Sequence, residues 1–314
     1  MSTNPLGIVI PTYNRPDALL KCLAHLENQT FKDFEVVIVD DGSTDSTPQQ
    51  VEAYRAITPL RIRYVRQKNS GPATARNLGI SMLRSPICMM LGDDIFASPA
   101  LVQQHLHVHE SDSNIKVAAL GRTRWSASGQ EITPFMRWLD EGRVQFSYHD
   151  LLAGVKANWR HFYTSNLSVK TELLRRFSFN ESFPYAAMED MELAYRIEKQ
   201  FGLEIKFLPD ALADHLHPTT FRQSCGRMVR VGYSSGLFHE RWPEQRPPLQ
   251  SSELRQALKR TITQSPRLLK ALTLAADLMT RALCPNALMK YVLGCYYELG
   301  YQSQRNREAK PVHS

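Results

Sequence analysis

The first hundred residues alternate strand signals with helix signals, and that rhythm limits what the chain can fold into more than any other feature. The apolar run Gly7-Ile8-Val9-Ile10 reads as a buried strand closed by Pro11, and Arg15 to Asn28 carries Leu19, Leu20, Leu23 and Leu26 at helical spacing. Phe34 to Val39 is a second strand, closed by Asp40-Asp41-Gly42, after which Ser43 and Asp45 cap a helix running through Tyr54. A strand over Ile62 to Val65, a helix over Ala73 to Leu83 and a strand over Ile87 to Leu91 complete the series. Strands alternating with helices build a parallel sheet with helices on its faces. Such sheets bind ligands beyond the carboxyl ends of their strands. Three polar turns occupy that edge: Pro11-Thr12-Tyr13-Asn14, Asp40-Asp41-Gly42 and Asp93-Asp94.

Asp93 and Asp94 follow directly on a buried strand, and adjacent carboxylates repel unless something positive or water offsets them. A divalent cation of the Mg or Mn type takes one or two carboxylates plus substrate phosphates, whereas a solvated turn before Pro99 is the competing reading. Asp41 can accept from a nucleobase N–H or ribose hydroxyls, although Asp-Gly is also ordinary turn chemistry. Arg76, in SGPATARN at a helix start, suits phosphate or an exposed helix face equally. Glu189 and Asp190 open the helix MEDMELAYRIEKQF, where acids complement the helix dipole; one projecting into a cleft would instead act as general base. His215 and His217 share one side of an extended segment, and either imidazole is a metal donor. No HExxH or cysteine cluster accompanies them to make a zinc site.

Residues 100–220 are less regular, with Trp125, Trp138, Trp159, Phe162 and Tyr163 among weak strands. They read as the second half of the same domain, carrying a mixed part of the sheet. Trp159, Phe162 and Tyr163 suit either core packing or stacking on a sugar ring. Beyond ADHLHPTTF the chain turns helical. Ser265-Pro266 starts one helix, with Leu268, Leu272, Ala275, Met279 and Leu283 on one face. Asn286 starts another, with the stripe Leu288, Tyr291, Val292, Cys295, Tyr296 and Leu299 and with Gly300 at its end. Residues 302–314 read as disordered. The division expected is a catalytic domain over residues 1–220 and a basic, amphipathic helical extension over 221–314.

Of 314 residues, 43% are apolar and 22% charged, which is the balance of a folded globular protein. Five cysteines are scattered without a CxxC pair, so a reducing cytoplasm is expected and a disulfide framework is not. The N-terminus lacks the basic start of a secretory signal, and no uncharged apolar run approaches the roughly 18 residues of a spanning helix. The net charge is +7, and residues 251–314 alone hold ten Lys/Arg against four Asp/Glu. The tail therefore calls for an acidic surface, anionic lipid or nucleic acid, or packs its apolar faces on the catalytic domain or on a second subunit.

Six segments stand in order between Gly7 and Pro243: IVIPTYNRPDALLKCLAHLENQTFKDFEVVIVDDGSTD, NSGPATARNLGI, LGDDIFASP, FYTSNLSVKTELL, MEDMELAYRI and ADHLHPTTF. Together they resemble the family 2 glycosyltransferases, inverting enzymes of the GT-A fold. The resemblance implies an α/β architecture with a Rossmann-like mixed sheet flanked by helices. It implies a nucleotide-sugar donor, usually UDP-linked, with uracil and ribose near Pro11, Tyr13 and Asp41, Arg76 close by and Asp93 toward the ribose. Asp94 matches the last acid of the DXD motif that binds Mn2+ or Mg2+; Gly92 stands at its first position, a departure from the pattern. His215 or His217 matches a downstream metal-associated histidine. Asp190 matches the general base of the ED motif, and Glu189 an acceptor contact.

The expected reaction moves a sugar onto a hydroxyl of a glycan or a lipid-linked acceptor, in polysaccharide biosynthesis at the cytoplasmic face of a membrane. No nucleic acid is expected as partner. A sugar nucleotidyltransferase would also place a nucleotide at this edge, but no glycine-rich phosphate signature follows the first strand. A non-catalytic binding protein on the same scaffold would have no need of Asp94 together with Asp190 and a histidine.

Overall fold

The computed structural model describes residues 4–141, 144–247, 253–280 and 284–308. The chain divides into two compact units: Met1–Glu131 with Phe146–His217, and Ile132–Gln145 with Pro218–Ser314. The short segment 132–145, which the sequence leaves inside the catalytic part, thus groups with the C-terminal helices.

The first unit opens with β1 (Leu6–Thr12), α1 (Pro16–Glu27), β2 (Phe34–Asp40), α2 (Thr47–Arg55), β3 (Arg61–Arg66), α3 (Pro72–Met82) and β4 (Ile87–Leu91). β1 lies parallel between β2 and β4, and β3 pairs parallel with β2. The chain thus moves outward from β1 through β2 to β3, then returns to β4 on the other side of β1. That reversal is a topological switch point, where strand ends diverge and leave a crevice. β1 does not stop at Pro11; pairing continues to Thr12 opposite Asp40, because proline forfeits a ladder N–H but not the extended conformation.

The sheet has eight strands in the order β3-β2-β1-β4-β7-β6-β8-β5. After β4 come β5 (Ile95–Ala97), α4 (Leu101–Ser111) and β6 (Val117–Trp125). In the second unit lies α5 (Pro134–Glu141), and back in the first are α6 (Tyr148–Leu152), β7 (Asn166–Lys170), α7 (Thr171–Arg176), α8 (Glu189–Gln200) and β8 (Glu204–His215). β7 runs antiparallel to β4 and β6, so this half is mixed. β8 extends far beyond the Ile205-Lys206-Phe207 core of its signal. Its pairing with β6 jumps from Gly121↔Leu208 to Arg122↔Leu212, so three extra residues bulge out and bend the strand. At this bend a Cβ on Gly121 would lie 2.3 Å from Asn166 Nδ2, a space only glycine leaves.

Alternate residues of the inner strands fill one core. Leu6, Ile8 and Ile10, Phe34, Val36 and Ile38, and Ile87, Met89 and Leu91 pack with Leu19, Leu23 and Leu26 of α1 and with Leu101, Val102 and Leu106 of α4. β2 is buried along its whole length, as a strand covered by helices on both faces must be. The sequence's view of Trp159 and Phe162 as either core or sugar platform resolves to core: they are 5% and 0% exposed.

In the second unit, α9 (Phe221–Arg241) begins with a capping box between Thr220 and Gln223, and is followed by α10 (Glu253–Gln264), α11 (Pro266–Met279) and α12 (Asn286–Glu308). Two expectations change here. Gly300 does not end the last helix, which continues to Glu308 through the first half of the stretch read as disordered. Gly300 is a contact point: a Cβ there would come within 1.9 Å of the Val229 carbonyl, and one on Gly232 within 1.9 Å of the Tyr297 carbonyl. Two glycines let α9 and α12 cross backbone to backbone. The stripe Leu268, Leu272, Ala275 and Met279 is not the buried face of α11 either; Leu269, Thr273 and Ala276 are. Leu283, the stripe's last member, lies outside the described residues, as do 309–314. Ser265 precedes α11 without a side-chain cap bond. Among the described residues no helix is long and apolar enough to cross a membrane, and the five cysteines are buried and free.

Candidate active site

The fold brings the β1, β4 and β8 ends together. Asp93 and Asp94 form the turn between β4 and β5, and β5 pairs antiparallel with β8 so that Ile95 faces His215. The Leu216 N–H donates to the Asp94 carbonyl at 2.9 Å, which pins the His-Leu-His segment beside the acid pair. Trp125, at the end of β6, stacks on the His215 ring at 5.3 Å, and the two imidazoles stack on one another at 5.2 Å. His215 Nε2 and His217 Nδ1 lie 3.3 and 3.2 Å from Asp94 Oδ2. One ligand atom from each of Asp94, His215 and His217 falls within 4.8 Å of the others. The sequence left the two histidines as alternatives; the structure brings both to the same oxygen.

Asp93 reaches across the switch point. Its Oδ2 accepts from Thr12 Oγ1 at 2.8 Å, tying the end of β1 to the end of β4. Arg15 closes the cluster: Nη1 donates to Asp93 Oδ1 at 3.0 Å and to Asp94 Oδ2 at 2.8 Å, while Nη2 faces His217 Nδ1 at 2.9 Å. The two acids consequently separate. Burial and the neighbouring Asp94 charge push the Asp93 carboxyl up to about 6. Burial opposes ionisation of Asp94 too, but His215, His217 and Arg15 outweigh it and hold that carboxyl well below the usual range.

Thr12 and Arg15 were missed as site residues in the sequence. Their signal was present, since both lie in PTYNRP at the end of β1.

A second acid pair sits at the start of α8. Met188 adopts a left-handed backbone, φ 69°, immediately before Glu189. Arg76 of α3 donates to Glu189 Oε1 at 2.8 Å and lies over the Phe179 ring at 5.4 Å. That pair is buried, and the other Glu189 oxygen, Oε2, has no partner among the described residues. Arg76 is therefore engaged by an acid. Asp190 accepts from the Met191 N–H at 2.8 Å; burial and then the Glu189 charge push its carboxyl up to about 7, with Arg76 opposing.

Asp41 is also engaged. Its Oδ1 accepts from Gln67 Nε2 and the Ser70 N–H, and its Oδ2 from the Gly71 N–H, so it shapes the loop that leads into α3. Asn14, at φ 52°, joins the neighbouring loop: its Oδ1 accepts from the Thr44 N–H at 2.8 Å. Between these anchors Tyr13 is 44% exposed, and Pro11 is half-buried.

Residues 7–177 match the sequence profile of Glycosyl transferase family 2. The chain belongs to that family. Over 260 residues it is 31% identical to a validoxylamine A glucosyltransferase of Streptomyces hygroscopicus subsp. jinggangensis, covering 72% of this chain and 60% of the relative. It is 27% identical over 270 residues to a chondroitin synthase of Escherichia coli, covering 76% and 38%. The chain thus spans less than two thirds of either relative's length, 60% of one and 38% of the other. Among solved structures, a mannosyltransferase from Pyrobaculum calidifontis, in complex with GDP-Man and Mn2+, superposes with a TM-score of 0.63 at 17% identity, over 96% of this chain and 88% of that one. S. aureus TarS 1-349 in complex with UDP gives 0.51 at 17% identity, over 98% and 93%. The family 2 chain accordingly has the GT-A fold.

Proposed function

We propose that this family 2 chain transfers a hexosyl group from a nucleotide-sugar donor, UDP-linked in the leading reading, to a hydroxyl of a glycan or lipid-linked acceptor, with inversion. The observation that carries the reading is the pairing, in one unit, of a three-ligand cluster on Asp94 with a half-buried acid, Asp190, whose carboxyl is pushed up to about 7. Asp190 takes the proton of the acceptor hydroxyl; the oxygen attacks the anomeric carbon from the face opposite the diphosphate. A carbon–oxygen bond forms as the sugar–phosphate bond breaks, and the electron pair leaves with the diphosphate. The open oxygen of Glu189 supports its role as an acceptor contact. Pro11, Tyr13 and Asp41 line the nucleotide side in this reading, and Asp93 lies toward the ribose.

One carboxylate oxygen and two imidazole nitrogens fit Mn2+, and fit Mg2+ less closely, since Mg2+ favours an all-oxygen set. Asp94, His215 and His217 would hold such an ion. When bound, it supplies positive charge against the departing diphosphate. Complexes of the fold neighbours with UDP, and with GDP-Man and Mn2+, support a nucleotide-sugar donor; the glucosyltransferase and chondroitin synthase relatives support hexosyl transfer. The test is nucleotide release from a panel of UDP- and GDP-sugars with and without Mn2+, with Asp94→Ala and Asp190→Asn alongside. Turnover unchanged in both variants overturns the mechanism.

The helical unit adds a placement. An apolar face of α11 is left open: Leu268, Leu274, Leu278 and Met279 are 49%, 49%, 58% and 44% exposed, and Leu258 of α10 is 52% exposed. Of these, Leu268 and Met279 belong to the stripe read from the sequence, whose Leu272 instead packs against Leu269 and Cys295. Arg267 and Lys270 share that side, while the acid of the helix, Asp277, is tied to Arg222 at 2.7 Å. Apolar side chains ringed by cations match an anionic lipid surface at the cytoplasmic face of a membrane. A two-fold self-contact would set the same cations against each other. Leu268→Ser/Leu278→Ser in the full chain should abolish co-sedimentation with phosphatidylglycerol vesicles. Unchanged pelleting, or loss of a dimer in place of vesicle binding, rejects this placement.

A further inference from the structure

Arg15 holds the atoms that a metal would need. Asp94 Oδ2, the oxygen shared by His215 and His217, accepts from Arg15 Nη1 at 2.8 Å. A guanidinium nitrogen only donates, so in the tautomer that bonds Nη2 at 2.9 Å His217 Nδ1 presents its lone pair to Arg15, and in the other its N–H points to Asp94 Oδ2 at 3.2 Å. That lone pair is the one through which Nδ1 would ligate. One planar group thus engages two of the three ligand atoms, with a third bond to Asp93 Oδ1. A nitrogen with one lone pair cannot serve a proton donor and a metal together, and a guanidinium and a divalent cation brought to one carboxylate oxygen repel each other.

We propose that Arg15 is the resident counter-ion of the acid pair and that Arg15 and a divalent cation exclude one another, so that metal enters by displacing the guanidinium. The inference rests on the reading of Asp94, His215 and His217 as metal ligands. The side chain can make the exchange: it is 38% exposed, against 8% and 11% for the two aspartates, and it springs from the residue before α1 rather than from within a packed element. The exchange swaps one positive group for another, so the buried carboxylates are never left without a partner. The displaced guanidinium remains tethered to the end of β1, on the strand edge that the donor phosphates would approach.

The test is Mn2+ titration of the full chain by calorimetry, without nucleotide, for wild type, Arg15→Ala, Arg15→Gln and Asp94→Ala. The inference expects both Arg15 variants to bind Mn2+ at least tenfold more tightly than wild type, and Asp94→Ala not to bind. Thermal melting gives a second readout that does not depend on full occupancy: Arg15→Ala should melt lower than wild type without metal and show the larger rise with Mn2+. Equal or weaker Mn2+ binding in the Arg15 variants overturns the displacement while leaving the metal site standing. Absence of binding in wild type and in both Arg15 variants overturns the metal reading, and this inference with it.

Discussion

Two pairs of adjacent acids, Asp93–Asp94 and Glu189–Asp190, face the same problem of like charges away from bulk water, with Asp190 alone half-buried, and solve it differently. The first pair is surrounded: Thr12, Arg15, His215 and His217 all reach it, and Asp94 is held firmly ionised. The second has Arg76, and Arg76 is committed to Glu189. Asp190 receives a backbone N–H and otherwise bears its neighbour's charge, so its carboxyl rises to about 7. Under the function proposed above, the difference gives one residue pattern two chemistries. An acid saturated with positive partners is suited to hold a cation; an acid whose neighbour has taken the cation is suited to take a proton.

The comparison breaks most visibly at the arginines. Arg76→Gln leaves Glu189 buried with no cation, and should destabilise the protein by about 3–5 kcal/mol in urea denaturation. Arg76→Gln/Glu189→Gln should recover most of that loss, because the pair is then absent rather than broken. Arg15→Gln should cost less, because Arg15 is partly exposed and two histidines still face Asp94. Equal losses at Arg15 and Arg76 would mean that the two pairs are not held differently at all.

The first acid pair was more legible in the sequence than the second, for a physical reason. Strand periodicity places Ile87–Leu91 and therefore fixes the turn at Asp93–Asp94, and the alternation of α and β puts that turn on the ligand edge. His215 could be foreseen as a donor but not located, because its position depends on a three-residue bulge in β8 that carries no periodic signal. The pairing of Arg76 with Glu189 could not be foreseen, because nothing local to Arg76 reveals an acid 113 residues away. The helical unit misled in an instructive way. An apolar stripe on α11 reads as a core face whether it is buried or not, and Gly300 reads as a stop until the Val229 carbonyl is seen against it. Periodicity reports which face is apolar, not what covers it.

Protonation sharpens the contrast at the second pair. Asp190 must be ionised to accept a proton, so kcat/KM should fall roughly tenfold per pH unit below about 7 and level off above it. Glu189→Gln removes the like charge that helps raise Asp190, and should move the inflection toward acid even where turnover is reduced. A profile flat from pH 5.5 to 8 in the wild type would remove Asp190 from the role of base.

The smallest expected effect lies at the first pair, in the bond between Thr12 and Asp93. Thr12→Val keeps the shape of the side chain and deletes one donor, a loss of about 1 kcal/mol. Its pH dependence is more telling than its size. The Asp93 carboxyl is already raised to about 6 in the folded chain, above its value in an unfolded one, and Thr12 is among the groups that oppose the rise. Removing Thr12 lifts it further. A folded-state value above the unfolded one means that the folded chain binds the proton more tightly, so stability from this group grows as pH falls through about 6 and is lost as pH rises. The Thr12→Val deficit should therefore be larger at pH 8, where Asp93 must stay ionised with one donor fewer, than at pH 5, where it is protonated in both proteins. Urea denaturation at the two values measures the difference. A deficit that grows toward acid would place the burden on Thr12 itself rather than on the charge that it helps to hold.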